Sequence, residues 1–166
     1  MAPEIVLILV GWAIAGGSPG PATLAISDAS MSSGRKAGLA LATGVLCGSA
    51  TWGIAAALGV SAIMMANAWL FELIRYAGAL YLLYLAIKSL RSAAQPKPLA
   101  TIEPVKNGRM FLRGFLLHLT NPKAVFSWGS IYSIALPFSA TPAEVWTLFA
   151  MLFAVSIAVF VGYAFL

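Results

Sequence analysis

The chain has 166 residues, of which 61% are hydrophobic and only 9% charged, and its mean hydropathy is +0.92. A soluble domain of this size cannot hide so much apolar surface, so the composition excludes a soluble globular protein and points to an integral membrane protein. The net charge of +5 does not imply a nucleic-acid partner, because no basic and aromatic residues cluster together on a polar surface.

Taken in chain order, uncharged runs cover residues 5–27, 37–71, 124–143 and 145–166, and a spanning helix needs about 20 mostly apolar residues. The first run lacks a basic leader and is too long for the apolar part of a signal peptide, so it reads as a retained helix over about 4–27. The second run is too long for one crossing. It predicts a helix over about 37–64, an outer turn near Ala66 to Trp69, and the start of a third helix over about 69–90, where Glu72 and Arg75 form an i, i+3 pair. A fourth helix is expected over about 113–136 and a fifth over about 144–166. The expected fold is thus an all-α integral membrane protein with five transmembrane helices. A lipid bilayer is its surrounding partner.

Arg35, Lys36, Lys88, Arg91, Lys97, Lys106, Arg109 and Arg113 all fall on one side of this arrangement, which accounts for eight of the ten basic residues. The positive-inside rule makes that side cytoplasmic and leaves the N-terminus outside. The stretch "SAAQPKPLATIEPVKN", Ser92 to Asn107, is the one real linker. Residues 1–91 then form a first three-helix repeat, 92–112 a cytoplasmic linker, and 113–166 a second repeat of two helices entering from the opposite face. A 3+3 inverted repeat needs a sixth helix, and the chain stops at Leu166 within an apolar run, so truncation is expected.

Both repeats open on an interrupted helix. "GGSPGP" (16–21) breaks the first span, and "HLTNPKA" (118–124) breaks the fourth. At ~1.5 Å per residue, Pro21 and Asn121 each lie about 10 Å from the basic end of their helix. Interrupted segments at corresponding positions of two halves are the usual pointer to a transporter's binding site, whereas a lone break reads equally well as a packing kink. Proline lacks an amide hydrogen, so Pro19 and Pro21 free the carbonyls of Ala15 and Gly17, and Pro122 frees that of His118. Free carbonyls at membrane depth must meet protein, water or a ligand.

Lys123 stands about ten residues inside a span, where an ammonium costs ~2.5–3.5 kcal/mol unless it faces a cavity or a partner. Its two readings are a functional cation and a side chain snorkelling to the interface. Asp28 reads as a solvated residue at the cytoplasmic end of the first helix or as a coupling carboxylate, and His118 as a polar packing residue or a participant in proton movement. Gly34/Gly38 and Gly44/Gly48 form GxxxG pairs, which suit close packing within a protomer or in a homodimer. One histidine and one cysteine, Cys47, cannot assemble a metal cage or a nucleophile pair, and no phosphate loop, HExxH or GxSxG occurs. No metal, cofactor or enzymatic activity is expected.

The early "PGP" followed by "ATLAISDASMSSGRKAGLALATGVLCGSATWG", then "RYAGALYLLYLAIKSLR", a basic linker and "FLRGFLLHLTNPKAVFSW" resembles the LysE/RhtB family of amino-acid exporters, from about Glu4 to Trp128. The resemblance implies a six-helix bacterial inner-membrane protein that exports amino acids or their analogues, driven by protons. The family's Pro-Gly-Pro falls on Pro19, Gly20 and Pro21, and its Asn-Pro-Lys on Asn121, Pro122 and Lys123. Where many members carry an acidic residue in helix two, this chain has Gly48 and Ser49. The expected substrate-binding residues are Ala15, Gly17, Ser18, Pro19, Gly20, Pro21, Asn121, Pro122 and Lys123, with Asp28, His118 and Lys123 as coupling candidates. The expected site binds a zwitterionic amino acid, with freed carbonyls on its ammonium and a helix N-terminus and Lys123 on its carboxylate. The alternative is a non-transporting truncated paralogue or membrane scaffold.

Overall fold

A computed structural model describes residues 3–66, 109–137 and 139–166, with single helical positions between 69 and 91. The predicted third span, its Glu72–Arg75 pair and the linker from Ser92 to Asn107 lie outside the described residues. Among those described there are six helices and no strand: α1 (Pro3–Gly17), α2 (Pro21–Ser33), α3 (Arg35–Ala66), α4 (Met110–Leu119), α5 (Pro122–Ala135) and α6 (Pro142–Tyr163). The protein is an all-α, multi-pass membrane protein.

By length and composition α3, over Arg35–Gly59, and α6 can each cross a membrane, and α1 and α2 can do so as one span bent by 59°. α4 and α5, with 10 and 14 residues, reach only about 15 and 21 Å, too short to cross a hydrocarbon core of ~30 Å alone. They follow one another as the two halves of a broken helix. The same local rule starts α2 and α5: proline stands at the first helical position, where its missing amide costs nothing. Asn121 caps α5 by accepting the Lys123 amide at 3.1 Å, and Thr141 caps α6 with Glu144 in a capping box.

The first span runs past its expected end at residue 27. α2 continues to Ser33 because nothing before Gly34 ends it; Gly34, at φ 87°, donates its amide to the Ser30 carbonyl at 3.1 Å and turns the chain. Asp28 is therefore a half-buried residue within α2 rather than a loop residue.

α3 packs most extensively against α4, and glycine is the reason. A Cβ at Gly44 would fall on the Phe111 carbonyl, and one at Gly114 on the Leu41 carbonyl. A Cβ at Gly48 would stand 3.0 Å from the His118 Cβ and 3.1 Å from the Phe115 carbonyl. The GxxxG pair Gly44/Gly48 is thus consumed within the chain. These pairings rise together along both helices, so α3 and α4 run parallel and Arg35, Lys36, Arg109 and Arg113 share one end. Trp12 to Ser156 and Gly17 to Tyr163 are hydrogen-bonded pairs, which run α1 alongside α6 in a common direction, and Ser30 bonds the Ala164 carbonyl just past the end of α6.

Two cores result. One joins Trp12, Trp128, Ile131, Tyr132, Leu148 and Leu152; the other joins Ile26, Leu41, Val45, Met110 and Phe160. In the first, Trp12 and Trp128 meet edge to face with centroids 4.7 Å apart. Each indole nitrogen is tied to a serine, Trp12 to Ser156 and Trp128 to Ser49, both at 3.0 Å.

Gly114→Val should force α3 and α4 apart at a cost above about 2 kcal/mol, seen as loss of monodisperse protein in detergent, whereas Gly11→Ala, which meets nothing within 4 Å, should leave the profile unchanged. Ser49→Ala strands the Trp128 indole donor and should lower stability by ~1–3 kcal/mol in thermal unfolding.

Candidate functional site

Between the two cores, where the breaks of the α1–α2 and α4–α5 pairs meet, lies a small open-mouthed cavity of about 60 Å³. The first break and its flanks supply Trp12, Ala15, Gly16, Ser18, Gly20, Pro21, Ala22 and Thr23. The second supplies His118, Asn121, Lys123, Ala124, Ser127 and Trp128, while Ser49, Ser156, Val159 and Phe160 close the wall from α3 and α6. Among the described lining residues Lys123 is the one lysine or arginine, and none is a carboxylate.

Lys123 links the breaks. From the first turn of α5 its Nζ donates to Ser18 Oγ at 2.6 Å, a bond that joins residues 105 apart in sequence. The Ser18 hydroxyl in turn donates to the Ala15 carbonyl at 2.9 Å, at the end of α1. Gly20 lies alongside: a Cβ there would stand 3.8 Å from Lys123 Nζ. The N-terminal ends of α2 and α5, with their partial positive charge, converge on the same space as the ammonium. The combined field favours an anionic group.

The carbonyls freed by proline are taken up inside the chain. Ala15 accepts from Ser18, Gly17 accepts from the Tyr163 hydroxyl at 2.5 Å, and His118 accepts from the Asn121 amide at 3.1 Å. Trp52 Nε1 reaches the Leu119 carbonyl at 3.2 Å, and Thr120 satisfies Leu116 and Leu117. The breaks therefore present side chains and helix N-termini to the cavity, with the carbonyls that proline frees turned to internal donors.

Of the expected binding residues, Ala15, Ser18, Gly20, Pro21, Asn121 and Lys123 line the cavity, whereas Gly17, Pro19 and Pro122 shape the breaks without lining it. Of the coupling candidates His118 and Lys123 line it, and Asp28, farther along α2, does not. Sequence reasoning missed Trp12, Thr23, Ser49, Ser127, Trp128 and Ser156. Ser127 was within reach of it, standing one turn after Lys123 on the same helical face. Ser49 stands out in sequence only as a position where many family members carry an acidic residue, and Ser156 carried no local signal, since its place depends on how α6 packs.

The family model described as LysE type translocator matches residues 13–166. The chain is similar to the threonine efflux protein of Escherichia coli (strain K12), with 34% identity over 147 residues, 86% of this chain and 71% of the relative. It is similar to the threonine efflux protein of Salmonella typhimurium (34% over 139 residues; 81% of this chain, 68% of the relative). It also matches the leucine efflux protein of Salmonella choleraesuis (39% over 115 residues; 69% of this chain, 54% of the relative). No solved structure matches it significantly. On the extent of the family match and these identities, the chain belongs to the LysE type translocator family.

Proposed function

We propose that the protein is a secondary transporter that exports amino acids or their analogues across the bacterial inner membrane in exchange for protons. The observation that carries this reading is the Lys123–Ser18 bond inside a cavity built from two broken helices. A lysine in a lining without a carboxylate suits a ligand that brings its own. An arriving carboxylate would compete with Ser18 for the Lys123 ammonium, so binding would loosen the tie between α1 and α5. A two-halved bundle needs such a coupling of occupancy to gap width if it is to alternate access.

Trp12 and Trp128, in edge-to-face contact, both line the cavity. One end of the bundle carries Arg35, Lys36, Arg109 and Arg113, which the positive-inside rule makes cytoplasmic, with the N-terminus outside. In this reading residues 1–91 and 113–166 are the inverted repeats, and 92–112 their cytoplasmic linker. The family and the efflux relatives support outward movement of amino acids, and the chemistry is translocation without enzymatic turnover.

The test is efflux from proteoliposomes preloaded with labelled L-threonine, L-leucine and other amino acids under an imposed pH gradient. The wild-type chain should show gradient-dependent efflux of a few of them, and Lys123→Ala should reduce it by more than about tenfold. Correctly inserted wild-type protein that moves none of them would establish the non-transporting scaffold instead.

A further inference from the structure

We propose that Ser127 and His118 form the subsite for the α-ammonium of the substrate whose carboxylate Lys123 holds. This inference rests on the exporter reading and adds to it how the same cavity tells an amino acid from a plain carboxylic acid.

An ammonium brings three donors and no acceptor, so its subsite must supply unspent acceptors. The backbone at the breaks cannot supply those of Ala15, Gly17, His118 and Leu119, whose carbonyls already have donors. Most hydroxyls of the lining are committed as well. Ser18 is held between Lys123 and Ala15, Thr23 is bonded to Gly20, Ser49 serves Trp128, and Ser156 serves Trp12 while donating to Leu152.

Two side-chain atoms of lining residues remain. Among the described buried side chains, Ser127 Oγ and His118 Nδ1 have no hydrogen-bond partner, although their residues are only 6% and 5% exposed. Buried polar atoms are rarely left so, and two of them in residues that line one cavity point to a polar group that arrives from outside the chain and is met once these side chains turn to it. The third unpartnered atom, the Tyr132 hydroxyl, belongs to a residue outside the lining.

The placement fits an α-amino acid head group. Ser127 follows Lys123 by one turn on α5, which sets their Cβ atoms ~5–6 Å apart. A carboxylate at the Lys123 ammonium thus leaves the neighbouring ammonium near the Ser127 hydroxyl. His118 faces the same space from α4, its ring set edge-on to Phe160 at 5.6 Å, and a neutral imidazole offers its unprotonated nitrogen as an acceptor. The ammonium of Lys123 itself is kept off this subsite by its bond to Ser18.

The test compares L-threonine with 3-hydroxybutanoate, the same carboxylate without the α-nitrogen, as inhibitors of labelled amino-acid efflux by the full chain in proteoliposomes. Wild-type protein should prefer L-threonine by at least about tenfold. Ser127→Ala should lower that ratio by about tenfold while leaving inhibition by 3-hydroxybutanoate unchanged. Ser127→Thr, which keeps the oxygen, should retain the preference, and His118→Asn should retain more of it than His118→Leu. If Ser127→Ala does not assemble, Ser127→Cys, a weaker acceptor of similar size, reads the same ratio. An active wild-type protein whose preference survives both Ser127→Ala and His118→Leu overturns the subsite alone. Wild-type protein that moves no amino acid, L-leucine included, overturns the exporter reading and the subsite with it.

Discussion

The arrangement turns on one hydrogen bond between two places where helices are forbidden to continue. Pro19 and Pro21 stop the first span, Pro122 restarts the fourth, and Lys123 crosses the gap to Ser18. A lysine at this depth is tolerated only with a polar partner, and the break is what puts Ser18 and the N-terminal end of α2 within its reach. The cation and the two breaks therefore depend on each other. An unbroken α1 would bury its amides in its own ladder, and Lys123 would face apolar side chains.

That dependence divides the interior. With both spans interrupted where Lys123 meets Ser18, apolar side chains collect into two cores, one around Trp12 and Trp128 and one around Leu41, Val45 and Phe160. The space between them stays open where small residues such as Ala15, Gly16, Ser18, Gly20, Ser49 and Ser127 line it. α3 passes through both cores and is pressed against α4 by the Gly44–Gly114 crossing, so it acts as the rigid reference for the broken helices. The bonds of Trp12 to Ser156 and of Trp128 to Ser49 fasten each broken helix to an unbroken one.

The carbonyls at the breaks show how backbone physics and packing combine. Proline frees them by a purely local rule, and the local rule gives them no destination. Their donors are Ser18 and Asn121 nearby, and Tyr163, 146 residues away. Because the backbone is satisfied from within, polar recognition passes to side chains: Lys123 at one end of the cavity wall, Ser127 and His118 beside it.

Much of this was legible in residue order alone. The first, second and last spans, the two breaks, Lys123 and the basic end of the bundle follow from apolar length, proline chemistry and the cost of charge in lipid. These are one-dimensional constraints. The end of the first span was misjudged, because Asp28 looks like a terminus and only the left-handed turn at Gly34 shows where the helix stops. What tertiary structure alone decided is which polar groups are already spent. Whether Gly17, Ser49 or Ser127 has an acceptor to offer depends on Tyr163, Trp128 and the empty space beside α4. Such distances are set by packing between segments up to 146 residues apart, and no local pattern records them.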